Sequence, residues 1–585
     1  MDDNDSFLYR RYEDAILEIE YYLAKNPCYS RLIDNPDEKG IIWKTEYTNS
    51  INTWEIYIIF SKYYPDELPK IKINNVNDLF LTNPHIEEDG KLCIIQNTTN
   101  YDGDELIKNF EYLIESAKSI LDGTSETDFQ DEFESYWIRN ASPYGEPCIL
   151  ISSPEDNENI YSAFIGKELI CIAKNNDLLI SWMFNFCSME KHNFSERKCF
   201  ILRLDKPLLP NQYPNSIYDV LELAKYNNEI YQPLIHFIIN SNKYCFILLV
   251  QKNKSTYSLG GIKLSGLNLC KIQKYSNGFR VGYAPFDILI NRATNKLKDV
   301  LINRCIITRA DHNYIHSRGG DGKIHNKRKI ILLGCGSLGG YLAHYLTKTG
   351  IGNITIIDSD TLEFANIGRH ILGGDSFGQS KALALQNKLR NEMPHLIING
   401  INSDWREAYK NNKNIFHEAD LIISTMAEWR SEKPLNLLAR ANDFPPVIYA
   451  WLESFAVAGH CFISIPKSGC IECQMDKKGL FQKRVASFDD IILKKEIGSC
   501  TYYQEYGPSA LMPIISMIIS EIINIFTNEP SVSKLSTWIT DISHLSNVKA
   551  KITSEWENQI KNFGYSRIYN NDINRNENCR ACTRI

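Results

Sequence analysis

The clearest hydrophobic pattern in the chain predicts a strand, a helix and a second strand between Lys329 and Asp358. An apolar run at Ile330–Leu333 leads into a glycine-rich turn and an amphipathic stretch, and a second apolar run follows at Ile354–Ile357. Two short apolar runs on either side of an amphipathic segment are typical of a parallel βαβ unit. A long apolar stretch that starts near Ser509 predicts a further helix.

Other periodicities appear outside this unit. Helical spacing at Tyr12–Leu23 and Glu105–Leu121 flanks the strand-like run WEIYIIF, and Ser216–Leu223 predicts another helix between the strand-like runs CILISS, CFILRL and YCFILLV. A chain of 585 residues is long enough for about three domains. We predict an α/β protein with domains at residues 1–140, 146–309 and 315–585.

Composition excludes several classes of protein. The formal net charge is -7 and no basic stripe occurs, so nucleic acid is not an expected partner. The first residues, MDDNDSFLYRRYED, are polar and acidic, which is unlike a signal peptide. Polar residues interrupt the longest apolar stretches, so no membrane partner is expected. The 16 cysteines lack the spacing of a disulfide scaffold, which favours a reducing cytoplasm.

The turn after the first strand carries candidate phosphate-binding chemistry. Gly334, Gly336 and Gly339 form a G-x-G-x-x-G pattern, and Asp358 follows the second strand. Glycines let backbone N–H groups and a helix N-terminus approach phosphates, and an acid after the next strand can bind a ribose. An NAD-binding Rossmann domain, or one without a ligand, is the alternative interpretation.

The residues downstream indicate a triphosphate substrate rather than a dinucleotide. Asp360, Asn366, Arg369 and Lys381 follow the glycine turn, and two cations suit the neutralisation of a leaving pyrophosphate. The pattern D-x-D-x-x-x-x-x-N-x-x-R, followed by G-x-x-K-A at Gly378–Ala382, resembles the adenylation domain of ubiquitin-activating enzymes. It also resembles the bacterial enzymes that activate sulfur-carrier proteins. The resemblance covers roughly residues 315–585.

This resemblance implies a Rossmann-like, ThiF-type fold that binds ATP and Mg²⁺ and forms a homodimer. Asp358 would hold the ribose, and Asn366, Arg369 and Lys381 would hold the phosphates. Arg318, in the SRGG stretch, matches an arginine that in this family reaches ATP across the dimer.

One position departs from the family. Where the family places a metal-binding aspartate, after the strand in ADLIISTMAEW, this chain has Ala427 with Glu428 beside it. Either Glu428 or Asp360 takes over the magnesium, or Mg²⁺ is held mainly by ATP itself.

Two C-x-x-C pairs predict a metal site. Cys470 and Cys473 form one pair, and Cys579 and Cys582 form the other. Four thiolates in two such pairs suit a structural Zn²⁺ ion, and the activating-enzyme relatives carry this arrangement. Four unrelated buried thiols, or redox pairs, are the alternatives.

Cys500 is the candidate nucleophile of the adenylation domain. It comes shortly before the apolar helix near Ser509, and a thiol near a helix N-terminus has a lowered pKa. In the relatives, a cysteine in this loop attacks the acyl-adenylate. A loop cysteine without chemistry is the alternative.

A second candidate nucleophile, Cys93, lies near the N-terminus. It follows Gly-Lys-Leu, and the turn Asn83-Pro84-His85 precedes it. This segment resembles the core of ubiquitin-conjugating enzymes, which read HPN or a variant and then L-C. By that resemblance Cys93 accepts an acyl group as a thioester, with Asn83 or His85 stabilising the oxyanion or orienting the loop. A buried thiol in an inactive fold is the alternative.

The order of the three predicted domains is an N-terminal ubiquitin-conjugating-like α+β domain, an α/β linker domain and the adenylation domain. This order resembles the bacterial fusion proteins of CBASS antiphage operons, which attach the C-terminus of a cGAS-like nucleotidyltransferase to a target. The expected activity is ATP-dependent adenylation of a partner's C-terminus, thioester relay from Cys500 to Cys93, and transfer to a target amine. A sulfur-carrier-protein adenylyltransferase and a non-catalytic scaffold with a degenerate nucleotide site remain the alternative functions.

Overall fold

The computed structural model describes most of the chain. The described residues are 3–32, 40–50, 52–74, 82–94, 102–123, 126–138, 147–166, 169–187, 196–240, 244–265, 278, 288, 301–317, 319, 325, 327–441, 444–488, 494–495, 502–503 and 505–583. Within them the strands form three larger sheets, each with helices beside it, in agreement with the predicted α/β fold class.

The N-terminal unit is a four-stranded antiparallel sheet with two long helices packed against its apolar face. Its elements are α1 (Asp3–Ala24), β1 (Tyr29–Leu32), β2 (Ile41–Thr48), β3 (Thr53–Phe60), β4 (Lys70–Ile73) and α2 (Leu106–Asp122). Helices α3 (Glu126–Asp131) and α4 (Phe133–Trp137) follow, and their aromatic side chains are buried in the core of the next unit along the chain. In β3 the buried residues Trp54, Ile56 and Ile58 alternate with less buried ones, because side chains on a strand point to opposite faces. Both predicted long helices are present.

The middle unit is a mixed eight-stranded sheet in the order β11-β10-β9-β8-β6-β7-β5-β12. Its elements are β5 (Cys148–Leu150), β6 (Ile160–Ile165), β7 (Ile170–Ala173), α5 (Asn176–Cys187), β8 (Arg197–Leu204), α6 (Ile217–Ala224), α7 (Asn228–Asn240), β9 (Tyr244–Asn253), β10 (Thr256–Ser265), β11 (Asn303–Cys305) and β12 (Ile307–Arg309). The three predicted apolar runs lie in β5, β8 and β9.

The C-terminal unit is a second eight-stranded sheet in the order β15-β14-β13-β16-β17-β18-β22-β24. Its elements are α8 (His312–His316), β13 (Lys329–Leu333), α9 (Ser337–Lys348), β14 (Asn353–Ile357), α10 (Phe364–Ile367), α11 (Lys381–Glu392), β15 (Ile397–Ile401), α12 (Trp405–Asn411), α13 (Lys413–His417), β16 (Leu421–Ser424), α14 (Trp429–Ala441), β17 (Val447–Leu452), β18 (Ala458–Ser464), β19 (Ala486–Ser487), β20 (Lys494–Lys495), β21 (Tyr502–Tyr503), α15 (Pro508–Asn528), β22 (Ser533–Ile539), α16 (Ile542–Asn547), β23 (Lys551–Ile552), α17 (Ser554–Phe563), β24 (Arg567–Ile573) and α18 (Arg580–Thr583). Strands β13 to β17 are parallel, and β18, β22 and β24 extend the sheet antiparallel.

The parallel half of this sheet is doubly wound, which explains its sequence pattern. Strand β13 lies between β14 and β16, with Ile330 opposite both Ile354 and Leu421. Parallel strands that are covered on both faces carry near-continuous apolar runs, which explains why the sequence of Ile330–Leu333 predicts a strand. The carboxyl ends of β13, β14 and β16 meet at the point where strand order reverses, where α/β sheets bind ligands.

In the part of the chain that the structure describes, one helix, α15, is long and apolar enough by length and composition to cross a membrane. Here Ile514, Ile518 and Ile522 of this helix are fully buried in the same core as β13 and β14. Because a core helix passes the same test, the composition of α15 is weak evidence for a membrane span.

Candidate active site

The glycine-rich turn joins β13 to α9 in a conformation that requires glycine at two positions. Gly334 has a φ of +85°, a left-handed conformation that L-residues rarely adopt. A Cβ at Gly339 would lie 2.2 Å from the Gly334 carbonyl oxygen and 2.4 Å from Thr425 Oγ1. A Cβ at Gly336, in contrast, would meet nothing within 4 Å. Gly334 and Gly339 are thus structural, whereas Gly336 leaves open space at the N-terminus of α9, which has no side-chain cap.

Asp358 closes the turn from the side of β14. Its carboxylate oxygens accept hydrogen bonds from the backbone N–H groups of Cys335 and Asp360, each at 2.7 Å. Each oxygen keeps a further acceptor position, so the carboxylate can still accept from a ribose hydroxyl. The predicted position of the acid at the end of the second strand is therefore found.

A buried histidine fixes the turn from the opposite side. His370 Nδ1 accepts from the Leu372 N–H at 3.0 Å, so Nε2 carries the proton and donates to the Cys335 carbonyl at 2.7 Å. Burial lowers the pKa of His370, which keeps the ring neutral at physiological pH. His370 thereby holds the glycine turn against the segment that carries Asn366 and Arg369.

The predicted phosphate ligands line one cavity. Lys381, whose side chain is 10% exposed, forms an ion pair with Asp360 at 2.9 Å. The Arg369 guanidinium lies 5.5 Å from the centre of the Tyr506 ring, within the range of a cation–π contact. Asn366 lines the same cavity and accepts from a backbone N–H through its Oδ1. The two cations predicted from the sequence thus face a shared space.

The cavity has a volume of about 1640 Å³. Ligand pockets commonly span about 300–1,000 Å³, so this one has room beyond a nucleotide. Away from Lys381 the wall is built by Phe455, Trp538, Thr540 and His544, on a part of the sheet remote from the glycine turn. Asp360, Glu363 and Glu505 line the cavity together with Arg369 and Lys381, so charges of both signs surround this space.

The end of β16 differs from the family pattern in a specific way. Ala427 has a φ of +52° and is exposed, and neither it nor Glu428 lines the cavity, whereas Asp360 does. Beneath this turn, Glu432 is 4% exposed and accepts from Ser424 Oγ at 2.7 Å. Burial raises the pKa of Glu432 to about 7. Of the two acids considered as metal ligands, only Asp360 lies in the cavity.

A second candidate site surrounds Cys93 in the N-terminal unit. Cys93 is exposed, and its backbone N–H donates to the His85 carbonyl at 2.8 Å. His85 has a φ of +64°, and Ile86 pairs with Leu92 across a short antiparallel bridge. The fold thus places the thiol directly beside the Asn83-Pro84-His85 turn, on the surface rather than in the core.

The segment after α2 contacts this turn, which sequence reasoning missed. The Tyr136 hydroxyl accepts from the His85 backbone N–H at 2.8 Å, and Tyr136 is 1% exposed. The His85 ring lies 3.6 Å from a carboxylate oxygen of Asp128 and from one of Glu132. These separations are too long for hydrogen bonds, so the two acids act on the site through their charge. This acidic, aromatic segment therefore forms part of the Cys93 environment.

The four paired cysteines meet in one cluster. The Sγ atom of Cys470 lies 3.8, 3.6 and 3.5 Å from those of Cys473, Cys579 and Cys582, and the Sγ atoms of Cys473 and Cys582 are 3.5 Å apart. A tetrahedral Zn²⁺ with Zn–S bonds of about 2.3 Å places its sulfurs about 3.8 Å apart. The donor set and its spacing therefore fit a structural zinc that ties the C-terminus to the segment after β18.

Two predicted site residues, Arg318 and Cys500, lie outside the described residues. Other residues of the site were missed because their roles depend on packing between distant segments. His370 lies 35 residues after Cys335, the residue it contacts, and Tyr506 lies 137 residues after its contact Arg369. Of these, only the histidine beside Arg369 in the motif could have been noticed in the sequence.

Two protein families match this chain, one near the N-terminus and one in the C-terminal half. Residues 313–559 match the ThiF family, and residues 20–144 match prokaryotic E2 family B. The ThiF match contains Arg369, Lys381 and most of the other residues that line the cavity, and the E2 match contains Cys93.

Two relatives match most of the chain. The chain is 23% identical over 497 residues to the ATP-dependent ubiquitin transferase-like protein Cap2 of Escherichia coli (strain TW11681), covering 76% of this chain and 80% of that protein. It is 22% identical to the Cap2 protein of Vibrio cholerae serotype O1, covering 71% of this chain and 75% of that protein.

Among solved structures, the chain is similar to a crystal structure of E. coli MccB with ATP. The identity is 17% and the TM-score 0.32, with 51% of this chain and 82% of that chain covered. A TM-score at this level carries no argument about function.

Proposed function

We propose that this chain, which matches prokaryotic E2 family B near its N-terminus and the ThiF family in its C-terminal half, is an ATP-dependent ubiquitin transferase-like enzyme that conjugates a partner protein through that partner's C-terminus. The observation that carries the proposal is the shared cavity, where Arg369 and Lys381 face a space larger than a nucleotide. The exposed thiol of Cys93 in a second domain supports a subsequent transfer step.

The first step activates a carboxylate, which by itself is a poor electrophile. The partner's C-terminal carboxylate extends along the aromatic end of the cavity, past Trp538 and Thr540, and attacks the α-phosphorus of ATP. An acyl-adenylate forms and pyrophosphate leaves. Arg369 and Lys381 neutralise the charge that develops on the leaving phosphates, and Asn366 orients them. Asp358 binds the ribose, and the open space at Gly336 admits the phosphates to the N-terminus of α9.

The next steps move the acyl group between thiols. The Cys500 thiolate attacks the carbonyl of the acyl-adenylate, forms a thioester and releases AMP. The Cys93 thiolate then attacks that thioester and returns Cys500 to its free thiol. A target amine, such as a lysine side chain, attacks the second thioester, so that an amide forms and the Cys93 thiol is released. Each thioester keeps the carbonyl reactive without free release of the intermediate.

Two metals complete the proposal. Mg²⁺ accompanies ATP, and Asp360 is its candidate protein ligand because it lies in the cavity and Glu428 does not line it. Mg²⁺ neutralises phosphate charge when bound. Zn²⁺ is the candidate occupant of the four-cysteine cluster, where it supplies folding energy rather than chemistry.

The biological setting follows the family resemblance. We propose a cGAS-like nucleotidyltransferase as the acyl donor, antiphage defence of the CBASS type as the role, and the cytoplasm as the compartment. A homodimer is proposed, in which Arg318 reaches the nucleotide of the partner subunit. A dedicated sulfur-carrier adenylyltransferase would not need the prokaryotic E2 domain, which disfavours that alternative.

Donor-dependent ATP–pyrophosphate exchange tests the adenylation step. Arg369→Ala removes a cation from the cavity, so exchange should fall by on the order of 10²-fold or more. Arg406→Ala is the matched control because Arg406 pairs with Asp404 on the surface, outside the cavity. Both variants should melt like the wild type. Exchange at the wild-type rate in Arg369→Ala would overturn the adenylation assignment and favour the scaffold alternative.

A further inference from the structure

Three histidine side chains meet where the middle unit joins the C-terminal unit. His312 and His316 lie one turn apart on α8, and His395 lies in the loop between α11 and β15. One ring nitrogen of each histidine lies within 4.8 Å of those of the other two. The Nε2 atoms of His316 and His395 are 2.9 Å apart.

This arrangement has the spacing of a metal site. Histidines at i and i+4 project from the same face of a helix, as in the H-x-x-x-H pairs that bind zinc in enzymes. The third imidazole, 79 residues further along, approaches the same point from a loop. Gly350, with a φ of +83°, lets the backbone pass close to the His316 ring, because a Cβ at this position would lie 3.1 Å from that ring.

The cluster is shielded from water, and its hydrogen bonds are incomplete. His316 is 5% exposed. His395 Nδ1 is buried and has no hydrogen-bond partner among the described residues. His312 Nε2 is also buried without a partner among the described residues, and because such an atom costs free energy, an ion that accepts its lone pair would be stabilising.

The charge state of the rings suits a metal ion. Burial lowers the pKa of all three histidines, that of His312 to about 4 and that of His395 to about 3. Neutral imidazoles each offer a lone pair. His316 also forms a hydrogen bond with the backbone of Lys348, the kind of outer contact that orients a ligating histidine. Two nitrogens on one tetrahedral zinc lie about 3.3 Å apart, so the 2.9 Å contact needs only a small ring movement.

We propose that His312, His316 and His395 bind one divalent transition-metal ion of the Zn²⁺ class, at a site separate from the four-cysteine cluster. Neutral imidazoles favour zinc-like ions over Mg²⁺ or Ca²⁺, and a water molecule can complete the tetrahedron. Two charged side chains near the cluster have opposite effects on a bound cation, since Lys348 repels it and Asp311 attracts it.

The ion would tie α8, the helix that directly follows the middle sheet, to the loop between α11 and β15. Helix α8 follows β12, the edge strand of the middle sheet, whereas His395 follows α11, the helix that begins at Lys381. Asn185 of α5 already donates to the Pro394 carbonyl at 3.1 Å in the same loop. A metal here would fix the middle unit against the helix that carries a proposed phosphate ligand.

Metal stoichiometry of the full-length protein tests this site without reference to activity. Protein stripped with a chelator is dialysed against Zn²⁺, and bound zinc is counted by elemental analysis. We expect two ions per chain in the wild type, one in His395→Ala and two in the control His417→Ala, whose histidine is exposed on α13. In a Cys579→Ser background, the remaining ion should disappear when His395→Ala is added.

The design separates this site from the cysteine cluster and from misfolding. The zinc bound by the histidines is measured as the loss of zinc per chain that the His395 substitution causes, once in the wild-type protein and once in the Cys579→Ser protein. This difference does not depend on whether the cysteine site is occupied. His395→Gln, which keeps a hydrogen-bonding side chain of similar reach, serves if His395→Ala does not fold. It should also abolish the visible spectrum of Co²⁺ bound to the Cys579→Ser protein. Unchanged zinc content in both His395 variants would overturn the proposal.

Discussion

The buried acid beneath the end of β16 makes stability depend on pH in a way that one substitution should remove. Glu432 is 4% exposed, and burial raises the pKa of its carboxyl from 4.5 to about 7. The Ser424 hydroxyl and the Ala427 backbone partly offset this effect, and the nearby charge of Glu428 adds to it. The folded state therefore binds a proton more tightly than the unfolded state.

The sign and size of the effect follow from linkage. Because the folded pKa is raised, the stabilisation is fully present below pH 4.5 and is lost as pH rises through about 7. At about 1.36 kcal/mol per pKa unit, the loss amounts to about 3 kcal/mol for this buried group. In a domain of this size that corresponds to roughly 5–10 °C in melting temperature.

Glu432→Gln keeps the shape and cannot ionise, so its melting temperature relative to the wild type should be higher at pH 8 than at pH 5. Thermal unfolding followed by tryptophan fluorescence at both pH values measures the change, with the exposed Glu428→Gln as the matched control. If the melting temperature of Glu432→Gln differs from that of the wild type by the same amount at pH 5 and at pH 8, the reasoning is refuted. An equally large pH-dependent change in Glu428→Gln would also refute it.

Two further predictions concern the glycine turn and the cysteine cluster. Gly339→Ala forces a Cβ to within 2.4 Å of two oxygens, so it should cost about 1–3 kcal/mol of folding stability and lower the rate of ATP–pyrophosphate exchange. Gly336→Ala meets no neighbouring atom, so it should lower the exchange rate and leave the melting temperature at the wild-type value. Equal melting temperatures for the two variants would contradict the assigned roles. Cys579→Ser should lower both bound zinc, by about one ion per chain, and the melting temperature, while the exposed Cys28→Ser should change neither. Unchanged zinc content in Cys579→Ser would show that the cluster is not the site.

Sequence reasoning succeeded where one local pattern determines the structure. The run Ile330–Leu333 is buried on both faces, so its composition alone indicates a central parallel strand. The two C-x-x-C pairs were matched by spacing, although 109 residues separate Cys470 from Cys579. The Asn83-Pro84-His85 turn and Cys93 were placed together because only seven residues separate His85 from the thiol.

It failed where packing between distant segments creates the site. The contact of His370 with the Cys335 carbonyl joins residues 35 apart, and the contact of Tyr136 with His85 joins residues 51 apart. No periodicity encodes such contacts, since they depend on how segments far apart in the sequence pack together. The histidine cluster is a mixed case, because the i, i+4 pair His312 and His316 is visible in the sequence and its third member is not.

The two-thiol relay is the central claim, and trapping its intermediates tests it most directly. Wild type, Cys500→Ala and Cys93→Ala proteins are incubated with ATP and the proposed nucleotidyltransferase donor, then resolved on non-reducing gels with and without excess thiol. Thiols cleave thioesters and leave amides intact. Cys28→Ala serves as the control for loss of an exposed cysteine.

The account predicts that Cys500→Ala forms acyl-adenylate and no thioester, and that Cys93→Ala accumulates a thiol-sensitive adduct on Cys500 with no amide product. A thiol-sensitive adduct on Cys93 in the Cys500→Ala protein would show that Cys93 attacks the adenylate directly. Thiol-resistant conjugate formed at the wild-type rate by Cys93→Ala would contradict the relay and leave the N-terminal domain a binding module.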